Sequence, residues 1–288
     1  MVELPEPGQL DSQPIAVIGM GTMGRRLAMR FSSRGGEVRA YDSNKRVAEE
    51  GAAYARETVG DACKTIPGGT PGRVVTAPDL ASAVKGAWLV IEAVAEKPDL
   101  KTQLFGEFDR LAAPGAILAT NSSSYKSSEM IGKVTRPERV LNMHFYLPRM
   151  RSVELMTCGK TDEAYISFLK DTLPRWGFVP YVAMKESTGL IFNRVWAAIK
   201  RETIQVLAEG IATPEDIDAL FREVLDTESA PFRLMDQVGL DVVLDIEEHY
   251  AAERPSLPIE VRDLLKSYVA QGKLGVKTGS GFYEYRKT

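Results

Sequence analysis

Two residue types that often carry chemistry are scarce in this 288-residue chain, which holds two cysteines and two histidines. Cys63 and Cys158 stand in no CxxC or metal-ligand spacing, so the sequence offers neither a disulfide framework nor a thiolate metal site, only two free thiols. Positive charge is not in surplus either. With 36 Lys and Arg against 39 Asp and Glu, the net charge is −3, and nothing is left over to neutralise a nucleic-acid backbone or an anionic leaflet. No nucleic-acid partner is expected. Long apolar runs are also missing: Ala87–Ile91 is broken by charge within a few residues, far short of the roughly 18 that a membrane span needs. Met1–Gln13 carries acids and two prolines in place of a basic start and an apolar stretch, which fits neither a signal nor a transit peptide. These absences predict a cytoplasmic protein with no membrane association. No repeat of 20 to 50 residues and no low-complexity segment appears, which sets solenoids and linker-joined arrays aside.

What is present has the composition of an ordinary globular protein, 44% hydrophobic and 26% charged, and at about 150 residues per domain the length predicts two domains. Short apolar runs at Ile15–Ile18, Glu37–Tyr41, Arg73–Val75, Trp88–Glu92, Ala116–Thr120, Val140–His144, Val153–Met156 and Phe178–Tyr181 alternate through the first half with longer segments of helical spacing. Such alternation builds βαβ units on a mostly parallel sheet. After Ser187 the apolar residues Leu190, Phe192, Val195, Trp196, Ile199, Val206 and Leu207 fall at three- and four-residue steps, and no strand-like run follows. The first helix there should close at Gly210, and Thr213-Pro214 should start the next. The fold class expected is therefore α/β, a doubly wound domain over residues 1–185 followed by an all-α domain over 186–288, with the boundary near Met184–Ser187.

The first strand runs directly into Gly19-Met20-Gly21-Thr22-Met23-Gly24 and then a helix read as Arg25–Arg34. In this context GxGxxG has a physical rationale: Gly19 makes the tight turn, Gly21 lets backbone approach a pyrophosphate, and Gly24 lets the helix pack on the strand, with the helix N-terminus holding the anion. Alone the motif is weak. Asp42 strengthens it, closing the second strand 18 residues past Gly24, where a carboxylate accepts the adenosine ribose hydroxyls and repels a 2′-phosphate. The expected cofactor is NAD. Lys45 and Arg46, just beyond, read as helix-surface charge.

Of the two histidines, His249 follows Glu247-Glu248 and reads as a solvated surface residue. His144 ends an apolar strand, and the carboxyl ends of parallel strands are where such sheets bind ligands. Ten residues on, Glu154 lies between Val153 and Leu155; a carboxylate in a buried strand is costly unless partnered, and pairing with His144 would also raise the imidazole's basicity. A purely structural histidine–carboxylate bond remains the alternative. Asn121-Ser122-Ser123-Ser124 follows another strand on the same edge, where its polar groups could hold a substrate oxygen and one serine should cap the next helix. Asn193 stands near the start of the first long C-terminal helix.

Eight motifs occur together in order: Gly19-x-Gly21-x-x-Gly24, Ile91-Glu92-Ala93-Val94-Ala95-Glu96, Asn121-Ser122-Ser123-Ser124, His144-Phe145-Tyr146, Val153-Glu154, Phe192-Asn193-Arg194, Pro231-Phe232 with Asp236-Gln237-Val238-Gly239-Leu240-Asp241, and Lys277-Thr278-Gly279-Ser280-Gly281-Phe282-Tyr283. In this the chain resembles the short-chain-length L-3-hydroxyacyl-CoA dehydrogenases over nearly its whole length. The resemblance implies a Rossmann domain, a helical dimerising domain and hence a homodimer, NAD, an acyl thioester or hydroxy acid substrate and a place in fatty acid metabolism. By motif position it implies Ser123, His144, Glu154 and Asn193 as the catalytic residues, with Glu96 and Lys101 at cofactor-contacting positions beside Ala93 and Asn121. Two departures bear on substrate. Leu147 stands where the family commonly has asparagine. Ser43–Gly72, where the acyl-CoA enzymes have a long helical hairpin, is only 30 residues, and its Lys45, Arg46, Arg56 and Lys64 are balanced by Glu49, Glu50, Glu57 and Asp61. Enzymes of small free hydroxy acids share the fold, and Arg149 or Arg151 could hold such a carboxylate. Rival readings are a hydrolase using Ser123, His144 and Glu154, which lacks a GxSxG elbow, and a non-catalytic NAD-binding structural or sensor protein.

Overall fold

The computed structural model describes residues 4–147 and 150–285 and divides into two compact units, Met1–Ile191 and Phe192–Thr288. The first unit runs β1 (Ile15–Ile18), α1 (Thr22–Phe31), β2 (Glu37–Tyr41), α2 (Lys45–Lys64), β3 (Arg73–Thr76), α3 (Leu80–Val84), β4 (Leu89–Glu92), α4 (Pro98–Leu111), β5 (Ile117–Thr120), β6 (Val140–Phe145), β7 (Ser152–Thr157), α5 (Glu163–Thr172) and β8 (Val179–Ala183). Its eight strands form one sheet in the order β3-β2-β1-β4-β5-β6-β7-β8. Every pairing is parallel except β6 with β7.

The central strands are short and almost wholly apolar for a reason. Successive side chains point to opposite faces, and both faces are covered. Val17, Leu89 and Ile91 enter a core with Leu27, Phe31 and Trp176, whereas Ala16, Ile18 and Val90 enter a second with Phe105 and Phe108. The chain therefore reverses direction across the sheet between β1 and β4, which opens the crevice at their carboxyl ends.

Two local expectations need correction. The helix after the glycine turn begins at Thr22, not Arg25, because Gly21 is its N-cap and the last glycine of the motif lies inside its first turn. No serine of the Asn121–Ser124 loop caps the next helical stretch, Ser127–Lys133. Glu129 accepts the Lys126 N–H at 3.1 Å there, while the Ser122 hydroxyl accepts from Tyr125 N at 3.0 Å and donates to Glu96. The short Ser43–Gly72 segment holds one helix, α2, capped by the Asn44 side chain.

The second unit contains α6 (Phe192–Ala208), α7 (Pro214–Leu225), α8 (Pro231–Val238), α9 (Leu240–Glu253) and α10 (Ile259–Ala270). Gly210 follows α6 with φ +69°, and the Thr213 side chain caps α7. Ile204, Phe232, Met235, Leu240, Val261, Leu265 and Phe282 form its core. The C-terminal segment is tied in by Asp236, whose carboxylate accepts the Phe282 and Tyr283 N–H groups and the Tyr285 hydroxyl. His249 is half-buried with its Nε2 enclosed, not a solvated surface residue. Of the two glutamates before it, Glu247 faces inward, buried in an ion pair with Arg201.

Candidate active site

The glycine turn has the geometry that a dinucleotide requires. Gly19 has φ +94°, and a Cβ there would lie 2.6 Å from the Ala93 carbonyl oxygen; at Gly24 it would lie 1.8 Å from that of Gly19. A Cβ on Gly21, in contrast, would meet nothing within 4 Å, and no side chain caps α1. An open, uncapped helix N-terminus is a ready anion site. Thr22 and Met23 supply first-turn amides there, Thr22 exposed and Met23 packed partly against the core. Asp42 is fixed beside this turn, its two carboxylate oxygens accepting Met20 N and Asn44 N, each at 2.9 Å. The residues present fit NAD.

Behind the turn, Glu92 closes β4 with no exposure at all, and the Lys101 ammonium lies 2.8 Å from both of its oxygens. Thr120 Oγ1 donates to the same carboxylate at 2.6 Å, and Val94 N at 2.7 Å. The ammonium also reaches Glu96 at 3.0 Å, and Glu96 accepts from the Ser122 hydroxyl and from Ser124 N. Although burial raises the proton affinity of Glu96, the Lys101 charge and the serine donors outweigh it and hold the carboxyl below the usual range. Lys101, expected from the resemblance to contact cofactor, is thus enclosed between two carboxylates and ties the β4, α4 and β5 ends together. Glu92 and Thr120 were not singled out in the sequence, although a glutamate ending Leu-Val-Ile-Glu calls for a buried partner just as Glu154 does.

His144 and Glu154 face each other as register partners on antiparallel β6 and β7, 7% and 3% exposed. The imidazole Nδ1 lies 2.8 Å from the Asn121 carbonyl oxygen. A carbonyl only accepts, so Nδ1 carries a proton, and in the neutral ring the lone pair is on Nε2. Burial lowers the imidazole's pKa below its ordinary value, opposed by the Asn121 carbonyl and by the charges of Glu154 and Glu96. Asn121 also fixes the strand end with its side chain, Oδ1 accepting Phe145 N at 3.0 Å. Glu154 accepts the Tyr146 hydroxyl on Oε1 and the Ile191 backbone N–H on Oε2, both at 2.5 Å. The amide is delivered by a bend in which Leu190, buried, has φ +52°, a left-handed conformation that costs a bulky residue about 1–3 kcal/mol. Tyr146 entered the sequence reading only as a member of the His144-Phe145-Tyr146 motif, and Ile191 did not stand out, because its contact spans 37 residues and no local pattern signals it.

Ser123 is half-buried on the same loop, its hydroxyl 3.4 Å from that of Ser124. Asn193 lies in the second unit as the second residue of α6. Arg151 is exposed just before β7 and Leu147 is exposed, whereas Arg149 lies outside the described residues. Three of the four α2 cations have partners nearby: Arg46 with Glu50, Arg56 with Glu49 and the Val74 carbonyl, and Lys64 with Asp61; Lys45 is exposed at the start of the helix.

Comparison with known proteins identifies a family. Residues 14–187 match the 3-hydroxyacyl-CoA dehydrogenase NAD-binding domain and residues 189–285 the C-terminal domain of the same family. A probable 3-hydroxybutyryl-CoA dehydrogenase of Bacillus subtilis (strain 168) is 32% identical, with 96% of this chain and 99% of that protein covered. The 5-formyl-3-hydroxy-2-methylpyridine 4-carboxylate 5-dehydrogenase of Mesorhizobium japonicum is 29% identical over 94% of this chain and 90% of its own. Among solved structures, (S)-3-hydroxybutyryl-CoA dehydrogenase PaaH1 from Ralstonia eutropha superposes with a TM-score of 0.84 at 28% identity, covering 96% of this chain and 99% of that one. The chain belongs to the 3-hydroxyacyl-CoA dehydrogenase family, a family of NAD-dependent oxidoreductases.

Proposed function

We propose that this member of the 3-hydroxyacyl-CoA dehydrogenase family interconverts a 3-hydroxyacyl thioester and its 3-oxoacyl counterpart, with His144 and Glu154 as the acid–base pair. The observation that carries the reading is the buried, neutral His144 whose Nδ1 proton is fixed by the Asn121 carbonyl. In the oxidative direction Nε2 of His144 takes the substrate hydroxyl proton as the carbonyl forms, and the Glu154 charge stabilises the resulting imidazolium. Bound at the glycine turn, NAD supplies the acceptor for the hydride that leaves the hydroxyl-bearing carbon. In reduction His144 returns the proton to the alkoxide oxygen. The Ser123 hydroxyl, on the loop tied to β6 through Asn121, would hold the substrate oxygen, and Asn193 is assigned to the same oxygen by its motif position alone. Gly19, Gly21, Thr22, Met23, Gly24 and Asp42 would hold the cofactor, with Ala93 walling the turn and Glu96 and Lys101 setting the loop beside it. The hydrolase reading of Ser123, His144 and Glu154 leaves that turn without a purpose.

A second reading is favoured by the ion pairs on α2. With Arg56 and Lys64 paired to their neighbours, that helix leaves a coenzyme A phosphate chiefly Lys45, and a free hydroxy acid bound through Arg151 would need no such grip. One comparison separates the two: kcat/KM for a 3-hydroxyacyl-CoA, its acyl-pantetheine analogue and the free acid. The thioester reading expects both thioesters to exceed the free acid by at least tenfold; a faster free acid overturns it. Dimerisation would use the second unit, where Ile211, Leu220, Val224 and Leu225 are each at least 58% exposed; a monomeric mass in solution would refute it.

A further inference from the structure

The proposed pair of His144 and Glu154 has a third group packed against both members. Tyr146 stands two residues beyond His144, and its ring meets the imidazole edge-on, with centroids 4.6 Å apart at 83°. From that position its hydroxyl donates to Glu154 Oε1 at 2.5 Å. Resting on the proposed function, we infer that Tyr146 is a positioning residue that fixes the Glu154 carboxylate and, through it, tunes the proton affinity of His144.

The physical argument turns on the direction of one dipole. A phenol donating to a carboxylate points the positive end of its O–H bond toward the His144–Glu154 pair. That end offsets part of the carboxylate's negative charge and so opposes the arrival of a further proton on His144. The Ile191 N–H on Oε2 acts in the same sense but is a backbone group that no side-chain change removes, so Tyr146 is the adjustable part. Among the described residues, Glu96 from the loop after β4 also acts on His144 through its charge, and Tyr181 on β8 is the register partner of Glu154. The tyrosine thus keeps the imidazole a weaker base than a bare buried carboxylate beside it would make it, and so keeps it unprotonated and ready to accept the substrate proton.

The test is an imidazole titration by NMR in untagged protein saturated with NAD, run on the wild type, Tyr146→Phe, Glu154→Gln and the double variant. With only two histidines in the chain, His144 is assigned by difference and His249 serves as the internal reference. Tyr146→Phe should raise the His144 midpoint by about half to one pH unit, a three- to tenfold gain in proton affinity, and shift the acid limb of kcat/KM upward by the same amount. In the Glu154→Gln background the same change should move nothing. A midpoint that stays in place or falls in Tyr146→Phe overturns the inference, as does an equal rise in both backgrounds, since the effect would then bypass Glu154. The titration needs no turnover, so it can fail while the functional reading stands. Near-native turnover in His144→Ala would instead sink that reading and leave the titration result intact.

Discussion

Two glutamates are buried in the same sheet and differ in what surrounds them. Glu92 at the end of β4 meets an ammonium, so its charge is cancelled on the spot by Lys101 and the remaining lone pairs are taken by Thr120 and Val94 N. Glu154 on β7 is held by a phenol and a backbone amide, and its charge is felt by the imidazole across the strand pair. A carboxylate locked to a lysine stabilises a framework. On the reading proposed, one that accepts from a phenol beside a titratable ring acts on that ring's proton. Burial of an acid would then not in itself mark chemistry; the partner would decide.

Breaking the first site should have the larger effect on stability. Lys101→Met leaves Glu92 buried and uncompensated, which costs about 3–5 kcal/mol; chemical denaturation should show the loss, and a change under 1 kcal/mol would mean the pair is not a structural lock. At the second site the effect should fall on rate. His144→Ala and Glu154→Gln should each lower turnover by about 10²-fold or more while leaving NAD affinity within a few-fold, measured by steady-state kinetics and cofactor titration. If Glu154→Gln instead unfolds the protein at unchanged specific activity, the contrast between the two glutamates collapses.

Smaller effects sharpen the comparison. Asp42→Ala should weaken NAD about tenfold, the scale of losing a hydrogen bond to a charged group, and narrow the preference over NADP. Unchanged dissociation constants for both cofactors would remove Asp42 from the site. The pH dependence follows from His144, whose folded-state pKa lies below the ordinary imidazole value of 6.5 because it is buried. The unfolded chain therefore takes up a proton first as pH falls, so this residue's contribution to stability is intact above that value and declines below it. Oxidation rate should hold down to the same region and fall only beneath it; an acid limb above 6.5 would contradict a neutral, buried base.

Much of this was legible in the sequence, for reasons that are local. All eight strands were readable because each is a short apolar run bounded by Gly, Pro or charge, and the glycine turn because its spacing answers steric demands within six residues. His144 and Glu154 could be set opposite each other because each stands at a readable place on a neighbouring strand. The tertiary structure alone decided what those side chains touch. The Asn121 carbonyl that fixes the imidazole tautomer, the Tyr146 hydroxyl and the Ile191 amide on Glu154, and Thr120 on Glu92 come from loop ends and strands up to 37 residues apart. The same inward-facing glutamate in an apolar strand became a lock in one place and, on the reading proposed, a catalytic partner in the other. Which it became depended on what the neighbouring strand ends and loops brought to it, and side-chain periodicity records only the face on which a residue lies.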